Sequence, residues 1–214
     1  EKKDICVLDE NQIQLFLEAA QRKSIKVYTL LATALYTGMR RGELLALEWS
    51  DVDFKNSRIK VNKQVYKKEK TTTKSNKVRS VDIPYNLIKI LQEYKRQQAI
   101  LSKIVFCNST GQYLHPSSLE RHYFYATLKL VNKDLPEDEK IQIRFHDLRH
   151  TYATFLLSKG VPIKYVQEQL GHSSAKMTLD VYASYMPSVK FEALKILNDL
   201  HKKEGIEHKL STKT

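Results

Sequence analysis

Cysteine is scarce in this chain of 214 residues: Cys6 and Cys107 alone cannot build a disulfide framework, and their separation has no metal-ligand spacing. Both are expected to be reduced and structural. No apolar run approaches the length of a membrane span and no signal-peptide pattern opens the chain, so no membrane partner is expected and the cytoplasm is the expected setting. Clustered carboxylates of the two-metal type are also missing. The first residue is Glu1 rather than Met, as expected of an excised part of a longer protein.

Positive charge is what the chain has in excess. Thirty-six Lys and Arg against 24 Asp and Glu give a net charge of +12, which points to a polyanionic partner without choosing among DNA, RNA and acidic lipid. The basic residues run through patterned segments and concentrate at Lys67, Lys68, Lys70, Lys74, Lys77 and Arg79, unlike a solubilising tail. Hydrophobic content of 42% and charged content of 28% are ordinary for a globular chain, long enough for one large domain or two small ones.

The pattern is mostly helical. Asp9 and Gln12 form a capping-box signature ahead of Ile13, Phe16, Leu17 and Ala20. A second helix is expected from about Lys26 to Tyr36, ending at Gly38. After Trp49 the period changes: Ser57 to Asn62 and Lys77 to Ile83 alternate as short antiparallel strands, with a polar, lysine-rich stretch between them. Helical spacing returns from Tyr85 to Leu101 and from Pro116 to Val131, with a short strand expected at Ile104 to Phe106. Ile163 to Leu170 is a short helix ending at Gly171, and Phe191 to Leu200 a last amphipathic one. The expected class is α+β, mostly α, with a small antiparallel sheet and hairpin.

The stretch from Arg144 to Thr154 carries the chemistry. Leu148, Tyr152, Phe155 and Leu156 form a stripe suited to a core. At about 100° per residue, His146, Arg149, His150 and Ala153 fall on the other side, a face suited to a phosphodiester. A solvated basic face is the plainer reading of such a helix. A zinc site on His146 and His150 is disfavoured, because Asp147 replaces the glutamate of HExxH and no third ligand is evident.

Other motifs change the balance. Thr37-Gly38-Met39-Arg40-Arg41-Gly42-Glu43-Leu44 is similar to Thr-Gly-x-Arg-x-x-Glu-Leu, the first catalytic motif of the tyrosine recombinase (phage integrase) family. His146-x-x-Arg149-His150 resembles the second, Leu170-Gly171-His172 the Leu-Gly-His motif, and Tyr182 matches the nucleophile position, with Tyr185 and Tyr165 as competitors. The resemblance runs from about Leu8 to about Leu200, with the motifs in the family's order. Ser184 departs from it, standing where many members have a second histidine. The core-binding and arm-binding domains that members often carry ahead of this region are not recognisable. Residues 1–200 are therefore expected to be a catalytic domain and 201–214 a charged tail.

The resemblance implies a division of labour. Arg40 and Arg149 clamp the scissile phosphate, His172 adds a donor, and His146 assists the nucleophile. Lys74 on the hairpin protonates the leaving 5′ oxygen, with Lys77 its rival, and Tyr182 holds the DNA as a 3′-phosphotyrosine. Glu43 and His150 support these groups, while Lys70, Lys77 and Arg79 contact DNA. No metal or other cofactor is implied, because the two arginines supply the charge. The implied activity is site-specific strand exchange by a DNA recombinase or integrase, with double-stranded DNA as partner and a homo-tetramer joined through the C-terminal segment. Two alternatives stand beside it: a non-enzymatic helix-turn-helix module in which Tyr182 only packs, and a DNA-relaxing topoisomerase of the same chemistry.

Overall fold

The computed structural model describes residues 6–66, 69–72 and 78–183. Helix α1 (Glu10–Lys23) opens at the expected capping box: the Asp9 carboxylate accepts from the Gln12 amide at 2.8 Å, and the Gln12 side chain accepts from the Asp9 amide at 3.2 Å. Helix α2 (Ile25–Thr37) is buried nearly all round, with Leu30, Leu31 and Ala32 fully enclosed. A helix so placed must satisfy its polar groups internally. Thr29, Thr33 and Thr37 do so by donating to the carbonyls one turn back, of Ile25, Thr29 and Thr33, at 2.7, 2.7 and 2.5 Å.

The remaining helices build the body of the fold around and beyond α2. They are α3 (Arg41–Leu45), α4 (Tyr85–Gln97), α5 (Pro116–Ser118), a π-helical stretch (Leu119–Tyr125) running on into α6 (Ala126–Val131), α7 (Asp147–Ser158), α8 (Ile163–Leu170) and α9 (Ala175–Ala183). α1, α4 and α7 lie directly against α2, and α6 against α1. Phe16 of α1 meets Phe124 edge-on at 5.8 Å, and Phe124 meets Phe145 at 5.5 Å, which joins the N-terminal helices to the entry of α7. No helix among the described residues is long and apolar enough to cross a membrane.

A three-stranded antiparallel sheet of β1 (Val52–Asp53), β2 (Arg58–Val61) and β5 (Arg79–Asp82) forms the flank, in the order β1-β2-β5. Its buried face follows the alternation: Ile59 pairs with Val81, both fully buried, while Lys60 and Ser80 point out. Between β2 and β5 the chain makes a separate hairpin of β3 (Lys63–Tyr66) and β4 (Glu69–Thr72). Its base is pinned twice. Lys63 sits 2.7 Å from both Glu48 and Asp51, and β3 crosses α3 so closely that a Cβ on Gly42 would lie 3.0 Å from the Val65 carbonyl.

Two expected boundaries shift. α4 ends at Gln97 rather than running to Leu101, because the Gln98 side chain turns inward to accept from the Trp49 indole at 2.8 Å and to donate to the Ile104 carbonyl at 3.3 Å. The strand expected at Ile104 to Phe106 is a single antiparallel bridge from Ile104 to Glu48. Phe155, expected in the core stripe of α7, is 40% exposed, whereas Arg149 and Ala153 on the supposed outer face are 4% and 2% exposed. α7 is covered on its polar face too, by the turn after α2 and by the end of α8.

Candidate active site

Two chain turns meet at that polar face. α2 and α8 both end in left-handed glycines, Gly38 (φ 58°) and Gly171 (φ 66°), the conformation in which a Cβ is penalised. Neither has room for one: it would lie 2.6 Å from the Tyr152 ring at Gly38 and 2.9 Å from the Arg79 side chain at Gly171. These tight ends leave backbone carbonyls facing the same space. Arg149 fills it, donating through Nη1 to the Gly38 carbonyl at 2.6 Å and through Nη2 to the Leu170 carbonyl at 2.7 Å.

Burial, and then the charge of Arg40, pull the Arg149 pKa down to about 9. It remains a cation at neutral pH, held in a place that penalises its charge. Such a group is poised for an anion, since an anion offsets that penalty.

Arg40 precedes α3 and is held from three sides. Its amide donates to Glu43 Oε2 at 2.8 Å, its Nη1 to Glu43 Oε1 at 3.0 Å and its Nη2 to the Gly171 carbonyl at 3.3 Å. With 40% of its side chain exposed, it keeps donors for a ligand. Glu43 is itself 3% exposed and takes a second guanidinium, Arg79, through bonds of 2.8 and 2.7 Å. Burial alone would raise the Glu43 pKa; the hydrogen bonds and charges of Arg79 and Arg40 outweigh it and hold the carboxyl below its ordinary value.

The three histidines gather at the same place. His172 follows Gly171, and its Nδ1 lies 2.9 Å from the hydroxyl of Thr178 on α9. Burial first, then the charges of Arg149 and Arg40, pull its pKa down to about 4. His146 opens α7 and remains exposed, its ring edge-on to that of His150 at 4.8 Å between centroids. Partial desolvation of its ring, then repulsion from His150 when that ring is protonated and from Arg149, push its pKa down. All are neutral imidazoles at neutral pH; for His150, burial is the main lowering cause. Asp147, the residue that broke the zinc pattern, is 2% exposed and accepts from the Arg144 amide at 2.7 Å and from its guanidinium at 3.0 and 2.8 Å. It stiffens the start of α7.

Arg40, Glu43, His146, Arg149, His150 and His172 are thus brought together. Arg79 joins them in a different place from the one expected. Its guanidinium is turned inward, onto Glu43 and the Gln169 carbonyl (2.9 Å), with 12% of the side chain exposed. The alternating pattern of Lys77 to Ile83 showed a strand but not which way Arg79 faced, and the buried Glu43 was its only sequence hint. Thr178 was missed altogether; its position, one turn before Tyr182, was the available signal.

Lys74 and Lys77 lie outside the described residues, as do Ser184, Tyr185 and the tail. Lys70 lies on β4 and Tyr182 on α9, both described as backbone. Tyr165 donates to Asp82 at 3.1 Å and sits half-exposed at the edge of the sheet.

The arrangement is therefore one that can receive an anion: two guanidiniums fixed by backbone carbonyls and a buried carboxylate, with neutral imidazoles beside them. Residues 6–188 match the family model described as Phage integrase family, and the chain belongs to that family. It is 32% identical over 216 residues to the tyrosine recombinase XerC-like protein of Caldanaerobacter subterraneus subsp. tengcongensis, covering 92% of this chain and 55% of that protein. It is 29% identical over 198 residues to the ICEBs1 integrase of Bacillus subtilis, covering 88% of this chain and 53% of that one. The fold is similar to that of the Tn1549 transposon integrase, solved in complex with a circular intermediate DNA, with a TM-score of 0.79 at 23% identity, covering 91% of this chain and 67% of that chain. The chain spans about half the length of the curated relatives it matches.

Proposed function

We propose that this chain is the catalytic part of a site-specific DNA recombinase that cleaves and rejoins strands through a 3′-phosphotyrosyl intermediate, without metal or ATP. The carrying observation is that Arg149, Arg40 and His172 converge where α2 and α8 end, the two arginines anchored on the Gly38, Leu170 and Gly171 carbonyls. Family membership and the DNA held by the Tn1549 relative support double-stranded DNA as the substrate.

In this mechanism, Arg40 and Arg149 neutralise the non-bridging oxygens of the phosphate, each guanidinium presenting paired donors. His172 contributes one more. The Tyr182 oxygen attacks phosphorus, and its proton passes to His146, which is neutral and able to accept it. The bond from phosphorus to the 5′ oxygen breaks, and Lys74 protonates that oxygen. The phosphotyrosine keeps the energy of the broken diester, so a 5′ hydroxyl from a second duplex can attack it and reverse the step. Glu43 keeps Arg40 and Arg79 in register, and His150 supports His146. Lys70 and Lys77 meet the DNA backbone, and Arg79 acts beneath the surface. The C-terminal segment joins protomers into a tetramer on DNA in the cytoplasm.

The test is a metal-free incubation with a duplex nicked beside the scissile phosphate, together with relaxation of supercoiled plasmid. A covalent adduct that vanishes with Tyr182→Phe is expected. An adduct retained by Tyr182→Phe would reassign the nucleophile. DNA binding with neither adduct nor relaxation would leave a binding module.

A further inference from the structure

A neutral imidazole carries a single N–H, so it offers a donor at one nitrogen only. His172 can assist a phosphate in this state only if that proton is on the nitrogen that meets the phosphate. Its Nδ1 is engaged inside the protein, 2.9 Å from Thr178 Oγ1. Nε2 is the nitrogen left for a ligand, in a ring whose neighbouring titratable groups are the cations Arg149, Arg40 and Arg79 and the imidazole of His150.

Which way the proton points along the Nδ1 to Oγ1 contact is therefore decisive. Thr178 is fully buried at the first turns of α9, so its hydroxyl proton cannot go to water. The nearby ring nitrogen is the acceptor at hand. The backbone that carries the ring is held on both sides: the His172 amide donates to the Gln167 carbonyl at 3.1 Å, and the His172 carbonyl accepts from the Gln167 side chain at 3.1 Å. The Thr178 hydroxyl, which rotates about its C–O bond, can turn its proton to the ring nitrogen beside it.

We infer that Thr178 is a positioning residue: its hydroxyl donates to His172 Nδ1, so that the ring's only proton sits on Nε2, and the same bond ties α9 to the phosphate site. Tyr182 lies one turn further along α9, so the bond links the helix that carries the nucleophile to a donor for the phosphate that it attacks. This consequence rests on the recombinase reading. The tautomer itself does not.

The experiment is a long-range ¹H–¹⁵N correlation spectrum of this chain at pH 7.5, with His172 assigned by its loss in His172→Asn. The wild type is expected to show the Nε2–H tautomer, and Thr178→Ser to keep it. Thr178→Val, which preserves shape and removes the donor, is expected to show the Nδ1–H form or a mixture. In single-turnover cleavage, Thr178→Val should be slower by on the order of 10²-fold, the effect of losing one oriented donor, and Thr178→Ser should recover the loss. A wild-type Nδ1–H tautomer would overturn the inference whether or not the valine variant folds, as would an Nε2–H tautomer unchanged in Thr178→Val. An Nε2–H wild type that forms no covalent adduct would leave the inference standing and sink the recombinase reading instead.

Discussion

Arg79 on β5 and Glu43 on α3 form a two-pronged ion pair, with bonds of 2.8 and 2.7 Å and only 12% and 2% of their side chains exposed. Through it the sheet is fastened to the turn that presents Arg40, because the same carboxylate also accepts from the Arg40 amide and guanidinium. One buried anion thus sets the position of two cations. Removing it leaves the largely buried Arg79 without a counter-charge, which costs more than the pair itself contributes, and frees the half-exposed Arg40 from its anchor.

Glu43→Gln is accordingly expected to lower stability by about 3 kcal/mol, with a further loss of DNA cleavage as Arg40 loses its anchor. Urea unfolding measures the first effect. An unchanged midpoint would mean that Arg79 and Arg40 are held by their carbonyl contacts alone.

Arg149 and Arg40 should respond differently to lysine. An ammonium is a point donor and cannot bridge the Gly38 and Leu170 carbonyls as the Arg149 fork does. Arg149→Lys should cost on the order of 10²–10³-fold in single-turnover cleavage, together with measurable stability. Arg40→Lys, at a half-exposed site, should reduce cleavage with little change in melting temperature. Equal melting shifts in the two variants would contradict this distinction.

Gly38→Ala places a Cβ at φ 58° and 2.6 Å from the Tyr152 ring, and it shifts the carbonyl that Arg149 uses. A loss of about 2 kcal/mol is expected from strain and overpacking together. Calorimetric melting of the variant would show it, and a melting temperature within error of the wild type would mean that the turn accommodates a side chain by moving Tyr152.

Acid should weaken the fold through His172. Its folded pKa is pulled down to about 4, below the unfolded value of about 6.5, so the unfolded chain takes the proton first. Stability is full above the unfolded pKa and falls as the pH drops from about 6.5 towards 4; after allowance for partial solvent access, His172 contributes roughly 1 kcal/mol of that fall. Glu43 has the lowered pKa of a carboxyl, so its contribution persists through this window and is lost only below the ordinary carboxylate range. Urea titrations at pH 7.5 and 5 should therefore give a smaller difference for His172→Asn than for the wild type. Equal differences would place the acid sensitivity elsewhere.

Much of the architecture could be read from local rules. The capping box at Asp9 and Gln12, the left-handed stops at Gly38 and Gly171, and the alternation through Ile59 and Val81 all depend on residues near one another in the chain, and all formed where expected. The order of the motifs also pointed to the family. What local pattern could not give was the direction of side chains buried by distant segments. By helical period Arg149 and Ala153 fell opposite the core stripe, on a face suited to an anion, and nothing local showed that the ends of α2 and α8 bury them. Arg79 looked like a DNA contact in a basic run, yet Glu43 and the Gln169 carbonyl turn it inward. Thr178 offered only its place one turn before Tyr182; its role showed once His172 lay beside it. Sequence fixes propensity and periodicity because these act over a turn or two. A buried charge takes whatever partner the packing brings within about 3 Å, and only the tertiary structure chooses that partner.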